Sequence, residues 1–202
     1  MSQSPSVIDQ NNPYMLMLNV KSIRLTDKQY FGLCRDNPDL RFELTAKKEL
    51  LVMPPTGSRT GWRNSKLNQR LANWAEENNT GLTFDSSTGF TLPNGAKRSP
   101  DVSWVLRDRW EALSGRDQEV FAPLCPDFVA EIRALSDSLP TLQDKMVEYI
   151  ENGARLGWLI DPGDRQVYIY RPGEPVEHLE DPTMVSGVPI LAGFVLSLQE
   201  IW

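Results

Sequence analysis

The chain has 202 residues, 40% of them hydrophobic and 24% charged, with a net charge of −6. That length suits one domain with a sizeable core, no apolar run approaches the roughly eighteen residues of a membrane span, and the acidic balance argues against a protein that coats nucleic acid by neutralising phosphates. Cys34, Cys125 and the single His178 are too few and too scattered for a disulfide framework, a zinc knuckle or a His-rich metal site, and no nucleophile motif lies near His178.

Residues 1–25 begin polar, with Gln, Asn, Ser and Pro, and read as a flexible arm ahead of a single domain over 26–202. A short helix is expected from Thr26 to Arg35, then two strands from Arg41 to Met53 around Ala46-Lys47-Lys48, broken by Pro54-Pro55-Thr56-Gly57. From Arg63 to Asn78, Leu67, Leu71, Trp74 and Ala75 fall at helical spacing and mark an amphipathic helix. Short β segments follow at Leu82–Phe84 and Gly89–Leu92, closed by the turn Pro93-Asn94-Gly95. Val102 to Leu106 reads as a buried strand, and Arg107 to Phe121 as a charged stretch with a short helix around Trp110. Asp127 to Leu135 alternates as a strand, with Val129, Glu131, Arg133 and Leu135 on one face. Ser138 and Pro140 open a second amphipathic helix carrying Leu142, Met146, Tyr149 and Ile150, ended by Gly153. Strands at Trp158–Ile160 and Val167–Tyr170 flank Asp161-Pro162-Gly163-Asp164, and Ile190 to Trp202 holds a last strand or pair. This order is an α/β (α+β) sandwich rather than the regular alternation of a doubly wound parallel sheet.

Two carboxylates stand in apolar strand contexts. Asp101 follows Pro100 and opens Asp-Val-Ser-Trp-Val, and Glu131 lies inside Phe-Val-Ala-Glu-Ile-Arg. A carboxylate in a strand core is costly unless paired or metal-bound. The ordinary alternatives are a turn acid after proline for Asp101 and an ion pair with Arg133 for Glu131. On adjacent strands the two would make a hard-oxygen site for Mg²⁺ or Mn²⁺, with the Ile132 carbonyl as a further ligand. Such an ion activates water and stabilises charge on a phosphate. Arg133, two residues past Glu131, is expected on the same strand face. Lys145 is the rival cation, because it flanks the apolar stripe of its helix beside Tyr149, and lysine, unlike arginine, can lose a proton. Its ordinary role would be an i,i+3 pair with Glu148. Arg63, Lys66 and Arg70 share a helix face that could contact phosphates or simply be solvated. Lys97 and Arg98 adjoin Pro100-Asp101 and are phosphate candidates. Glu43 and Asp127 could support the site, but sequence does not place Glu43 in space.

A set of segments in order carries a resemblance: Arg-Phe-Glu-Leu at 41–44, Pro-Pro-Thr-Gly at 54–57, Asp-Ser-Ser-Thr-Gly-Phe at 85–90, Leu-Pro-Asn-Gly at 92–95, Ser-Pro-Asp-Val-Ser-Trp-Val at 99–105, Cys-Pro-Asp-Phe-Val-Ala-Glu at 125–131 and Gly-Trp-Leu-Ile-Asp-Pro at 157–162. In these the chain resembles the bacterial Uma-two family of restriction endonucleases, a branch of the PD-(D/E)XK nuclease superfamily. The resemblance implies a restriction-endonuclease-like fold, a central mixed β-sheet flanked by helices. It implies metal-ligand roles for Asp101 and Glu131, and it places the family's migrated lysine at Lys145. The implied activity is Mg²⁺- or Mn²⁺-dependent hydrolysis of phosphodiester bonds in DNA. The chain would act in the cytoplasm, away from any membrane, as a homodimer. Three departures stand beside it: Arg133 in place of the Glu-x-Lys lysine, Ala134 where a serine is common, and Arg63 and Lys66 on a first helix that often offers an acid. They motivate an alternative, a weak or inactive nuclease fold that serves as a nucleic-acid- or protein-binding module.

Overall fold

Apolar residues that recur every second position, or run unbroken, become strands here, and those recurring every third or fourth become helices. A computed structural model describes residues 8–9 and 12–202. In chain order the strands are β1 (Ile8–Asp9), β2 (Asn12–Asn19), β3 (Arg41–Leu44), β4 (Glu49–Met53), β5 (Gly81–Asp85), β6 (Phe90–Thr91), β7 (Lys97–Arg98), β8 (Val102–Leu106), β9 (Phe128–Ile132), β10 (Leu156–Asp161), β11 (Gln166–Tyr170), β12 (Glu177–Glu180), β13 (Met184–Ser186) and β14 (Val195–Ser197). The helices are α1 (Asp27–Asp36), α2 (Ser58–Asn78), α3 (Arg107–Glu111), α4 (Gly115–Gln118) and α5 (Leu139–Glu151).

Among the described residues these strands form two six-stranded sheets and a hairpin. The first sheet runs β1-β2-β4-β3-β7-β6 and is antiparallel throughout. The second runs β12-β11-β10-β9-β8-β5 and is mixed, with β9 and β10 parallel and its other pairs antiparallel. Its middle strands are buried on both faces, which is why Phe128–Ile132 and Leu156–Asp161 are buried at every position. One face packs on α2 through Leu67, Leu71 and Ala75, with the β13–β14 hairpin closing the same core. The other face packs on α5 through Met146 and Tyr149.

Local chemistry sets the starts of α1, which packs on the first sheet, and of α5, which packs on the second. Thr26 and Gln29 cap α1 reciprocally, and Ser138 caps α5 with Pro140 in its first turn. Gly157 on β10 lets α5 lie close, because a Cβ there would sit 2.5 Å from the Met146 methyl. Leu71 is fully buried on the α2 stripe. Leu71→Ala should cost about 2–5 kcal/mol, read from urea unfolding; a loss well under 1 kcal/mol would show that α2 does not carry this core.

Several expectations are corrected. Of the expected arm over 1–25, residues 1–7 and 10–11 lie outside the described residues, whereas residues 12–19 form β2 and pair with β4 from Leu16↔Val52 to Asn19↔Glu49. The apolar run Tyr-Met-Leu-Met-Leu at 14–18 supplies that strand, and the polar residues ahead of it masked it in the sequence. α2 begins at Ser58, right after Gly57, rather than at Arg63. β9 stops at Ile132, so the alternation expected through Leu135 ends early, and Leu135 is fully exposed. β12 and β13 lie in stretches that carried no strand expectation. Among the described residues no helix is long and apolar enough to cross a membrane.

Candidate active site

The end of β9 and the start of β8 lie side by side, and their carboxylates converge there. Asp101 stands just before β8. Its Oδ2 accepts the Ile132 N–H at 2.9 Å, and its Oδ1 accepts from Asn64 Nδ2 on α2 at 2.8 Å. Glu131 projects from β9 to the α5 side. Its Oε1 accepts from the Tyr149 hydroxyl at 3.1 Å and lies 2.8 Å from Lys145 Nζ. Among the described residues the hydrogen bonds of Glu131 all fall on Oε1, which leaves Oε2 for another partner.

The first sheet supplies the rest. Glu43 on β3 accepts from Lys145 Nζ at 2.8 Å and from the Ser99 N–H at 3.1 Å through Oε1, and from Arg98 Nη1 at 2.8 Å through Oε2. Arg98 also donates from Nε to Glu148 at 2.6 Å. Lys145 is therefore a buried bridge between a carboxylate of each sheet.

The electrostatics follow from that arrangement. Burial alone would raise the Glu43 carboxyl, but Lys145 and Arg98 outweigh it and hold it at about 2. Burial pushes Glu131 up to about 7, with Lys145 opposing and the charges of Asp101 and Glu43 adding. Burial also raises Asp101, against the Ile132 N–H, Lys145, Arg41 and Asn64. Burial would lower Lys145, but Glu131 and Glu43 outweigh it and raise its ammonium above the ordinary value. Glu43, Asp101, Glu131 and Glu148 are four carboxylates facing three cations, Lys145, Arg98 and, beside Asp101, Arg41. Fully ionised, the cluster carries a surplus of one negative charge, which a bound cation would offset.

The donor set fits such a cation. It offers hard carboxylate oxygens from Asp101 and Glu131, one of them without a partner. Among the described residues no cluster of three or more His, Cys, Asp or Glu has metal-holding geometry. The set is thus lean, and Mg²⁺ accepts a lean set because it retains several waters.

A model of the family described as "Putative restriction endonuclease", Uma2, matches residues 27–199. The chain belongs to the Uma2 family. Its fold is similar to the crystal structure of a "putative nuclease belonging to DUF820" from Anabaena variabilis ATCC 29413, with 20% identity over 79% of this chain and 88% of that one and a TM-score of 0.68. Among curated proteins nothing matches. The restriction-endonuclease-like fold expected from the sequence is thereby shown, and so is membership of a nuclease family.

Within this Uma2 chain the structure brings together Asp101, Glu131 and Lys145, with Ile132 on Asp101 and Arg98 joined through Glu43, and it separates Arg133, Lys97, Arg63 and Lys66 from them. Arg133 lies just past the end of β9. Its guanidinium pairs with Asp161 at 2.5 Å and Asp164 at 3.4 Å and donates to the Asp137 carbonyl at 3.1 Å, not to Glu131. Lys145 is buried against Glu43 and Glu131, and Glu148 pairs with Arg98 instead. Lys97 and Arg98, expected at phosphates, are buried: Lys97 pairs with Asp27, and Arg98 with the two glutamates. Arg63 donates to the Ile201 carbonyl at 2.7 Å and ties α2 to the C-terminal segment, while Lys66 is half-buried further along α2. Asp127 holds the Leu106 N–H and Arg109, away from this cluster.

Sequence reading missed Asn64 and the role of Tyr149. Each left a signal. Asn64 is a polar residue on the buried stripe with Leu67 and Leu71, and Tyr149 falls one turn after Lys145.

Proposed function

We propose that this Uma2 protein is a metal-dependent endonuclease that hydrolyses phosphodiester bonds in DNA. The observation that carries this reading is the buried, negatively surplus cluster around Asp101 and Glu131, with Lys145 beside it. Asp101 and Glu131 would hold Mg²⁺ or Mn²⁺, with the Ile132 carbonyl as a further oxygen. The bound ion would supply Lewis-acid chemistry, making water a better nucleophile and offsetting charge on the phosphate.

The chain's own groups do the rest. The Ile132 N–H and Asn64 fix the plane of the Asp101 carboxylate. The Tyr149 hydroxyl fixes Glu131. Lys145 keeps its proton, since its ammonium is stabilised above the ordinary value, so its role is to offset phosphate charge rather than to abstract a proton. Glu43 holds that ammonium in place from the opposite sheet.

The test is incubation of supercoiled plasmid with purified protein and Mg²⁺ or Mn²⁺, beside Asp101→Ala and Glu131→Ala. Nicking or linearisation that needs the metal and both acids is expected. Intact plasmid at every metal concentration, with DNA still bound, would replace the nuclease by a binding module. Arg133→Ala is expected to cleave within about threefold of wild type, because its partners are Asp161 and Asp164. A loss beyond about a hundredfold, the scale of a removed charge-stabilising donor, would return Arg133 to the chemistry.

A further inference from the structure

Two cavities meet at Arg41. The smaller, ≈ 180 Å³, contains Asp101, Glu131 and Lys145. The larger, ≈ 780 Å³, is lined by Asn64, Asn68, Ser86, Phe121 and again Asp101. Arg41, Thr56, Ser99 and Asp101 line both.

Arg41 is the one cation that lines the larger cavity, among the described residues. Its hydrogen bonds go to neutral oxygens, from Nη1 to Thr56 Oγ1 at 3.1 Å and from Nη2 to the Ser86 carbonyl at 3.0 Å. Lys145, the other cation at the junction, is committed to two glutamates. A guanidinium held by neutral groups keeps its charge for a phosphate and offers fixed, fork-shaped donors to it. Asp39, Asp85 and Asp101 also line the larger cavity. One cation against three carboxylates is no track for a run of phosphates.

What remains in the cavity suits a base. Asn64 and Asn68, one turn apart on α2, each have a buried amide oxygen without a hydrogen-bond partner. Whichever way an amide is turned, one end stays unpaired. Both side chains line the cavity, and a nucleobase edge carries donors and acceptors that suit a carboxamide. Phe121, whose ring packs on Tyr30, Phe31 and Gly89, adds aromatic lining to the cavity. A cavity of this size lies within the range that encloses a small organic ligand, and a base can enter it only when it is out of the double-helical stack.

Resting on the nuclease reading, we propose that the larger cavity receives one unpaired base, with the phosphate of that nucleotide on Arg41 beside the cut. The substrate strand is therefore single-stranded, or opened locally, at the site. Asn64 already serves Asp101, so Asn68 is the residue to vary for base contact.

Fluorescence anisotropy in EDTA, with a labelled dA strand alone and annealed to its dT complement, tests this on the whole protein without chemistry. The single strand should bind at least about tenfold tighter than the duplex. Arg41→Gln should weaken single-strand binding about tenfold and flatten the slope of log affinity against log salt by roughly 0.7, the share of one phosphate; Arg41→Lys should restore the slope. Asn68→Leu should weaken single-strand binding with the slope unchanged. Equal or tighter binding of duplex, or an unaltered slope in Arg41→Gln, overturns the proposal. Single-strand binding with this pattern but no metal-dependent cleavage sinks the nuclease reading alone. Metal-dependent duplex cleavage at the same rate in wild type and Arg41→Gln sinks this proposal alone.

Discussion

Glu131→Gln should lower metal-dependent plasmid cleavage by at least about a thousandfold, since it removes one of the two carboxylates proposed as ligands and with it several kcal/mol of charge stabilisation on the phosphate. The same variant should melt differently without metal. In the folded chain Glu131 titrates near 7, above its ordinary 4.5. A group whose folded pKa is raised contributes stability that is full below the ordinary value and lost as pH rises through the folded one. Wild type in EDTA should therefore lose stability from about pH 4.5 to about pH 7, and Glu131→Gln should lack that loss. Mn²⁺ should raise the melting temperature of wild type above pH 7 and leave the variant unmoved. Equal Mn²⁺ shifts in the two proteins would remove Glu131 from the metal site, and cleavage within tenfold of wild type would remove it from the chemistry.

Lys145→Met tests the other half of the cluster. The ammonium is buried between Glu43 and Glu131, each at 2.8 Å. Methionine keeps the stem and deletes the charge, which leaves two buried carboxylates under-compensated. Breaking a buried pair in this way costs about 3–5 kcal/mol, or a fall in melting temperature on the order of 10 °C for a chain of this length. Cleavage should fall by about a hundredfold or more, as when one charge-stabilising donor is removed. The two effects can be separated by assaying well below the melting point and by adding Glu43→Gln, which relieves the buried charge without restoring an ammonium. Recovered stability with cleavage still low supports a catalytic charge. Recovered stability with recovered cleavage would make Lys145 a structural strut only.

Much of this was legible in the residues. The amphipathic stripes of α2 and α5 are strong periodic signals, and the start of α5 is marked by the Ser138 cap visible in the sequence. Asp101 and Glu131 stand out because acids are expensive in apolar strands. Lys145 could be nominated from its place beside a stripe. What failed was non-local. Arg133 was placed by the two-residue alternation of a strand, but β9 ends one residue earlier, at Ile132. Lys97 and Arg98 read as exposed phosphate contacts because nothing nearby in sequence reveals that Asp27, Glu43 and Glu148 fold over them. β2 hid behind a polar N-terminal stretch, although its own residues 14–18 are apolar, and its partner, β4, lies some thirty residues further on, about the distance from Asn19 to Glu49. Glu43 was a suspect without a location, since its partner in the site is a lysine 102 residues away.

That separation bears on the moment of synthesis. Glu43 belongs to an early strand, and the bond to Lys145 closes only when α5 has left the ribosome. At roughly 5–20 residues per second, the first sheet waits on the order of 5–20 s for the ammonium that completes the cluster. In the later part of that interval the growing chain holds Asp101, and then Glu131, without the Lys145 ammonium that faces them. A ribosome-bound chain therefore passes through most of its length without the assembled candidate site.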